Sequence, residues 1–239
     1  MSLRTVNKLK LSVIAIAVLI AGVLLYQCLL FMMVLWYRVN APRMTPVMEA
    51  QLQTLRVQAP DAEINYQWVA YDKISNNLKR AVIASEDANF LSHDGIEWAA
   101  IRQAWEYNRQ QAAQGSDRRR GGSTISQQLA KNLFLSNSRS YFRKGQELIL
   151  TYMIEAAMSK ERILELYLNI AQWGTHTFGA QAAAEHYYRG TAAQLTAPQA
   201  ARLAAMLPNP SYYDKRRDSP YLQSRTRTIS ARLRQVPLP

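Results

Sequence analysis

From Leu11 to Tyr37 the chain is almost uninterruptedly apolar, with Ser12 and Gln27 the only clearly polar side chains. This run constrains everything that follows it. As a helix it is about 40 Å long, enough to cross a hydrocarbon core with tilt. A cleavable signal peptide has a shorter apolar region and a small-residue cleavage site. The run here is longer and ends in Phe31, Trp36 and Tyr37, the pattern of an interfacial aromatic belt. Arg4, Lys8 and Lys10 precede it, so the positive-inside rule puts the N-terminus in the cytoplasm and everything after Arg38 outside the membrane. The expected organisation has four parts. Residues 1–10 are a cytoplasmic N-terminus and 11–37 a single transmembrane helix. Residues 38–65 are a tether and membrane-proximal segment with Pro42 and Pro46, and 66–239 are one domain with a basic C-terminal helix.

Charge narrows the partners. Lys and Arg number 29 against 17 Asp and Glu, a net charge of +12, which suits nucleic acid, acidic lipid or a phosphorylated substrate. Cys28, the only cysteine, lies inside the apolar run, which excludes an intramolecular disulfide and a cysteine metal site. His93, His176 and His186 are too few and too scattered for a protein-only metal site.

In that basic chain a carboxylate pair needs a reason, and Glu86-Asp87 sits at the end of an apolar helical run from Leu78 to Ala84. Ser75 reads as the N-cap of that helix. Phe90, His93 and the turn residue Gly95 follow. A carboxylate partly desolvated at a helix end is a stronger base and can take a proton from a hydroxyl near neutral pH. The bland alternative, that the pair only turns the chain and His93 is a satisfied core histidine, is equally open on these residues alone.

Further along, Gly95 to Gln114 reads as a helix with Ile101 and Trp105 on one face. Residues 115–120 form a basic loop containing Arg118, Arg119 and Arg120. Two glycines, Gly121 and Gly122, then enter a helix in which Thr124 and Gln127 have capping-box spacing. Such a helix start, with free N–H groups, is a natural phosphate seat. Ser123, Gln127 and Lys131 put a hydroxyl, an amide and an ammonium along one face. Arg143 and Glu147 have the spacing of a helix-surface ion pair. Ser159 to Trp173 reads as a helix with Ile163, Tyr167 and Ile170 inward, and Ala180 to Tyr188 as a small-residue helix. Thr196, Pro198 and Gln199 start another that Pro208 stops. In the tail, Leu222, Ile229 and Leu233 form an apolar face among arginines; a membrane-surface helix and an ordinary C-terminal helix both fit.

With these residues in hand, the chain resembles the family 51 peptidoglycan glycosyltransferases, in their monofunctional, membrane-anchored form. The resemblance runs from about Trp68 to Pro210. It rests on Glu86-Asp87 through Phe90, His93 and Gly95; on Gly121 through Asn132; on Arg143-Lys144 with Glu147; on Ile163 through Asn169; and on Arg202-Leu203-Ala204 with Leu207-Pro208 and Pro210. One departure is Gln146, where many relatives carry lysine.

What the resemblance implies is specific. The fold is mainly α, a lysozyme-like two-lobed glycosyltransferase domain behind a single transmembrane helix. The activity is polymerisation of lipid II into glycan strands held on undecaprenyl pyrophosphate, with inversion, and no transpeptidase activity is expected. Glu86 and Glu147 are the catalytic carboxylates. Ser123, Thr124, Gln127, Gln128, Lys131, Arg139 and Arg143 bind pyrophosphate and sugar, and Asp87, His93, Asn132, Lys144 and Glu155 support them. Glu147 is also the candidate for positioning Mg2+ or another divalent cation. Lipid II, the growing strand and cytoplasmic-membrane lipids are the implied partners, with cell-division or penicillin-binding proteins as recruiting candidates. The implied location is the bacterial inner membrane, with the domain in the periplasm. A glycan-cleaving relative would share the catalytic Glu but need no phosphate cradle. A nucleic-acid binder would leave Glu86-Asp87 unexplained and sit on the wrong side of the membrane.

Overall fold

The computed structural model describes residues 3–116, 119–136 and 140–239. They divide into two compact units, Met1–Asn40 and Ala41–Pro239. The first is helix α1 (Leu3–Tyr37), whose stretch Lys10–Tyr37 has a mean hydropathy of 2.7 and is long and apolar enough to cross a membrane.

The second unit is mainly α, as the sequence led us to expect. It begins earlier than the expected boundary at residue 66. The segment read as a tether contains α2 (Pro46–Gln58), which packs on α5 (Ile125–Phe134). Its start has a full set of helix signals: the Thr45 hydroxyl accepts from the Met48 amide, Pro46 takes the first position, and Val47 and Met48 are buried. Both prolines had been read as markers of a tether; Pro46 instead begins a helix.

The remaining helices fall into two packing groups. In one, α3 (Asn76–Glu86), α9 (Ala197–Met206) and α11 (Pro220–Arg232) lie against each other. In the other, α5 packs on α6 (Tyr141–Ala157) and α7 (Lys160–Ile170). Helices α4 (Trp98–Ala113), α8 (Ala180–Tyr188) and α10 (Pro210–Asp214) complete the set. The basic C-terminal helix is an ordinary packed helix, since Leu222, Ile229 and Leu233 are buried. On α4, by contrast, Trp105 is 62% exposed and Ala104 is the buried position.

Helix α7 is buried nearly all round, from Ile163 and Leu164 through Leu166 to Ile170, as the central helix of a domain must be. Its Asn169 is fully buried and replaces a strand partner. The Asn169 side-chain oxygen accepts from the Val69 amide and its nitrogen donates to the Val69 carbonyl, both at 2.9 Å. The segment 67–70 therefore lies against α7 without being a strand, and Tyr71 begins a 3-10 turn. The strands are two residues each, β1 (Asn65–Tyr66) parallel to β2 (Thr177–Phe178). Gly179, at φ 85°, follows β2; a Cβ there would stand 2.5 Å from the Asn169 carbonyl oxygen.

Candidate active site

Helix α3 has the Ser75 cap the sequence indicates, with Ser75 Oγ accepting from the Asn77 amide at 3.2 Å. Its last residue is Glu86, which is only partly covered at the surface. Ser85 Oγ donates to Glu86 Oε1 and Gln128 Nε2 donates to Glu86 Oε2, each at 3.1 Å. Gln128 is oriented in turn by the Tyr167 hydroxyl, which donates to its Oε1 at 3.0 Å. Burial raises the Glu86 pKa above the ordinary carboxylate value; the Gln128 and Ser85 hydrogen bonds and the Arg225 charge pull it back, and Asp87 adds to the rise. Burial, then the charges of Glu86 and Asp87, hold the Tyr167 phenol well above its usual value, so it stays a donor.

Asp87, 7% exposed, has a different task. Its Oδ1 takes His93 Nε2 at 2.9 Å and its Oδ2 takes the Ile125 amide at 3.0 Å. Gly95 N–H donates to His93 Nδ1 at 3.0 Å, which puts the ring proton on Nε2, facing Asp87. Asp87 therefore fills the start of α5, where the sequence suggested a phosphate seat. Two further amides there are engaged: Gln127 N–H donates to the Thr124 hydroxyl, and Thr124 N–H to Gln127 Oε1. The anion at this helix start is the protein's own. Thr124 and Gln127, read as substrate contacts, are both about 2% exposed and act as the capping box of α5. Thr124 Oγ1 also donates to the Gly95 carbonyl at 2.6 Å. Gly95 itself has φ 89°, and a Cβ on it would strike Thr151 Cγ2 at 2.7 Å.

One turn beyond Gln128 on α5 lies Lys131, beside a cationic cluster on α6. Burial lowers the Lys131 pKa; Glu147 opposes this, and Arg143 and Lys144 reinforce it. Glu147 is 3% exposed and carries Arg143 Nη1 on Oε2 at 2.7 Å and Lys144 Nζ on Oε1. Lys144 also reaches Ser123 Oγ at 3.5 Å. Ser123, Gln127 and Lys144 line a groove of about 260 Å³ with Ile101, Ala104 and Trp105 of α4. Asn132 is half-buried on α5, and Gln146 is buried. Arg118 and Arg139 lie outside the described residues.

The Glu147 carboxylate does not suit a resident metal ion. Both of its oxygens hold cationic side chains, and Lys131 adds a third positive charge nearby. Among the described residues, no group of three or more His, Cys, Asp or Glu side chains comes together. What gathers there is positive charge, suited to an anion.

Glu155 supports the site from α6: it accepts from Ser126 Oγ and pairs with Lys160 Nζ at 2.8 Å. Lys160 also donates to the His93 carbonyl at 2.6 Å and stands 4.8 Å from the centre of the Phe90 ring. Sequence reading missed Lys160, Ser85 and Arg225 as parts of the site. Their partners are 67 and 140 positions away or immediately adjacent, where helical spacing gives no signal.

The chain thus has an N-terminal helix apolar enough to cross a membrane and a mainly helical domain that carries a part-buried carboxylate, Glu86, and a cluster of three cations around Glu147. A model of the family described as transglycosylase matches residues 51–234, and the chain belongs to that family. It is 58% identical to the biosynthetic peptidoglycan transglycosylase of Bordetella pertussis over 236 residues, covering 99% of this chain and 98% of the relative. The proteins of that name from Bordetella avium (62% identity, 90% of each chain) and Herminiimonas arsenicoxydans (50%, covering 99% of this chain and all of the relative) are similar to it as well. The activity is glycosyl transfer in peptidoglycan synthesis.

Proposed function

We propose that the protein polymerises lipid II into β-1,4-linked glycan strands on undecaprenyl pyrophosphate, with inversion at the donor anomeric carbon and no transpeptidase activity. Glu86 takes the proton from the 4-hydroxyl of the acceptor N-acetylglucosamine. That oxygen bonds to the anomeric carbon of the donor N-acetylmuramic acid, and the bond to the lipid pyrophosphate breaks. The observation that carries this reading is the Glu86 carboxylate, held by Ser85 and Gln128 where burial raises its pKa.

Charge develops on the departing pyrophosphate, and preorganised cations stabilise it most. Lys131, Arg143 and Lys144 with Ser123 supply them, and the resemblance adds Arg139. Gln128 and Lys131, three residues apart on α5, connect the base to this cradle about 5 Å along the helix axis. Glu147 keeps the cations together. The resemblance adds Mg2+ or another divalent cation, which would be held chiefly by the substrate pyrophosphate. In this reading α1 anchors the chain in the bacterial inner membrane, with its N-terminus cytoplasmic and the domain in the periplasm.

The test is polymerisation of labelled lipid II by the purified full-length protein, with and without chelator, and with moenomycin as competitor. Glu86→Gln should lower the rate by about 10² or more. Near wild-type polymer formation by that variant would overturn the base assignment. Fragment release from preformed peptidoglycan without polymer from lipid II would overturn the biosynthetic reaction.

A further inference from the structure

Helix α11 lies outside every motif that carries the resemblance, yet one of its arginines reaches Ser85, the residue next to Glu86. Arg225 Nη2 donates to the Ser85 carbonyl oxygen at 3.1 Å and lies 3.5 Å from Ser85 Oγ. Ser85 Oγ in turn donates to Glu86 Oε1 at 3.1 Å and lies 3.3 Å from the Ala204 carbonyl of α9. We propose that Arg225 is a positioning residue of the polymerisation reaction, orienting the Glu86 carboxylate through Ser85 and compensating its charge.

A serine hydroxyl has one hydrogen and two acceptor lone pairs. Here two acceptors, Glu86 and Ala204, compete for that hydrogen. A guanidinium beside the hydroxyl oxygen engages a lone pair and leaves the hydroxyl to act as a donor. The bond to the Ser85 carbonyl also fixes the peptide next to Glu86, at the last turn of α3, where carbonyls lack helical partners. Arg225 Nε is buried without a hydrogen-bond partner.

The groups facing Glu86 come from four elements. Ser85 and Asp87 flank it at the end of α3, Gln128 comes from α5, Tyr167 from α7, and Arg225 from α11. Arg225 is the only cation among them. Its charge favours the ionised carboxylate against the burial that disfavours it.

The inference rests on Glu86 being the base, and the experiment separates the two. Polymerisation of lipid II by the full-length protein is followed from acid to neutral pH for wild type, Glu86→Gln, Arg225→Gln, Arg225→Lys and Ser85→Ala, with circular dichroism on each. The acidic limb of the rate profile reports the base. Arg225→Gln should move that limb to higher pH, so that its loss of rate deepens as pH falls. Arg225→Lys, which keeps the charge, should leave the limb near its wild-type position. Ser85→Ala should move it in the same direction as Arg225→Gln. A limb in Arg225→Gln that overlays wild type, at whatever amplitude, overturns the inference. If Arg225→Gln does not fold, Arg225→Met, which keeps the length of the side chain without its charge, decides: an unmoved limb overturns the inference, and a raised one upholds it. An active Glu86→Gln means the base reading has failed. An inactive one with unmoved limbs means that only the role of Arg225 has failed.

Discussion

Two carboxylates at the site are under opposite electrostatic demands. Glu86 is disfavoured as an anion by burial, and its pKa is raised. The folded protein therefore loses stability as pH rises through that raised value, because ionisation costs more folded than unfolded. Glu86→Gln removes the cost, so at pH 7 the variant should melt at or above the wild-type temperature while losing activity. Glu147 is the reverse: it lies between Arg143 and Lys144, and removing its charge leaves cations facing each other. Removing one member of a buried pair typically costs about 3–5 kcal/mol. Lys144 is half in water, so about 2–3 kcal/mol is expected for Glu147→Gln. Thermal unfolding of the two variants side by side checks this: equal shifts of the same sign would mean the two sites are not electrostatically distinct. The sequence read Glu86 as a desolvated base and Glu147 as the ion-pair partner of Arg143, but their degree of burial and the identity of Ser85, Gln128 and Lys144 as neighbours are tertiary facts.

At the scale of elements, helix starts were the most readable features. Ser75, Thr124, Ser159 and Thr196 cap α3, α5, α7 and α9, three of them through side-chain contacts that spacing alone predicts. Helix α2 was missed because its prolines were weighed as breakers when one of them occupies the tolerated first turn. The start of α5 was located correctly, and its first amide is held by Asp87. A sequence shows that a helix terminus has unpaired amides; it does not show that Asp87, 38 positions away, will reach them. Thr124 bears on this directly. Thr124→Ala loses the cap and the bond to the Gly95 carbonyl, so it should destabilise the protein by about 1–2 kcal/mol. Because α5 carries Gln128 and Lys131, polymerisation should fall as well. Chemical denaturation with activity on the same samples would show it; a variant that is destabilised but fully active would mean α5 keeps its place without its cap.

For the molecule as a whole, acid adds positive charge to a chain already at +12, and self-repulsion then opposes the compact state. Asp214 resists this. Burial pushes its carboxyl up, but the Thr175 amide and the His186 and Tyr187 side chains outweigh burial and hold the pKa down to about 2. A depressed carboxylate pKa contributes stability that is present above the unfolded value and is lost as pH falls through the folded one. Asp214→Asn should therefore be less stable than wild type at neutral pH, and the gap should close between about pH 4 and pH 2. Melting temperature against pH for both proteins measures it; a gap that stays constant to pH 2 would assign the stabilisation to packing rather than charge.

The junction of α3 and α5 has a mechanical consequence. Glu86 and Asp87 are joined by a peptide bond; Asp87 holds the Ile125 amide, one turn of α5 leads to Gln128, and Gln128 returns to Glu86. These links close a ring, like a triangulated frame, in which no member can swing without straining the others. Glu86 is thus braced before any ligand arrives, and little binding energy is spent on ordering it.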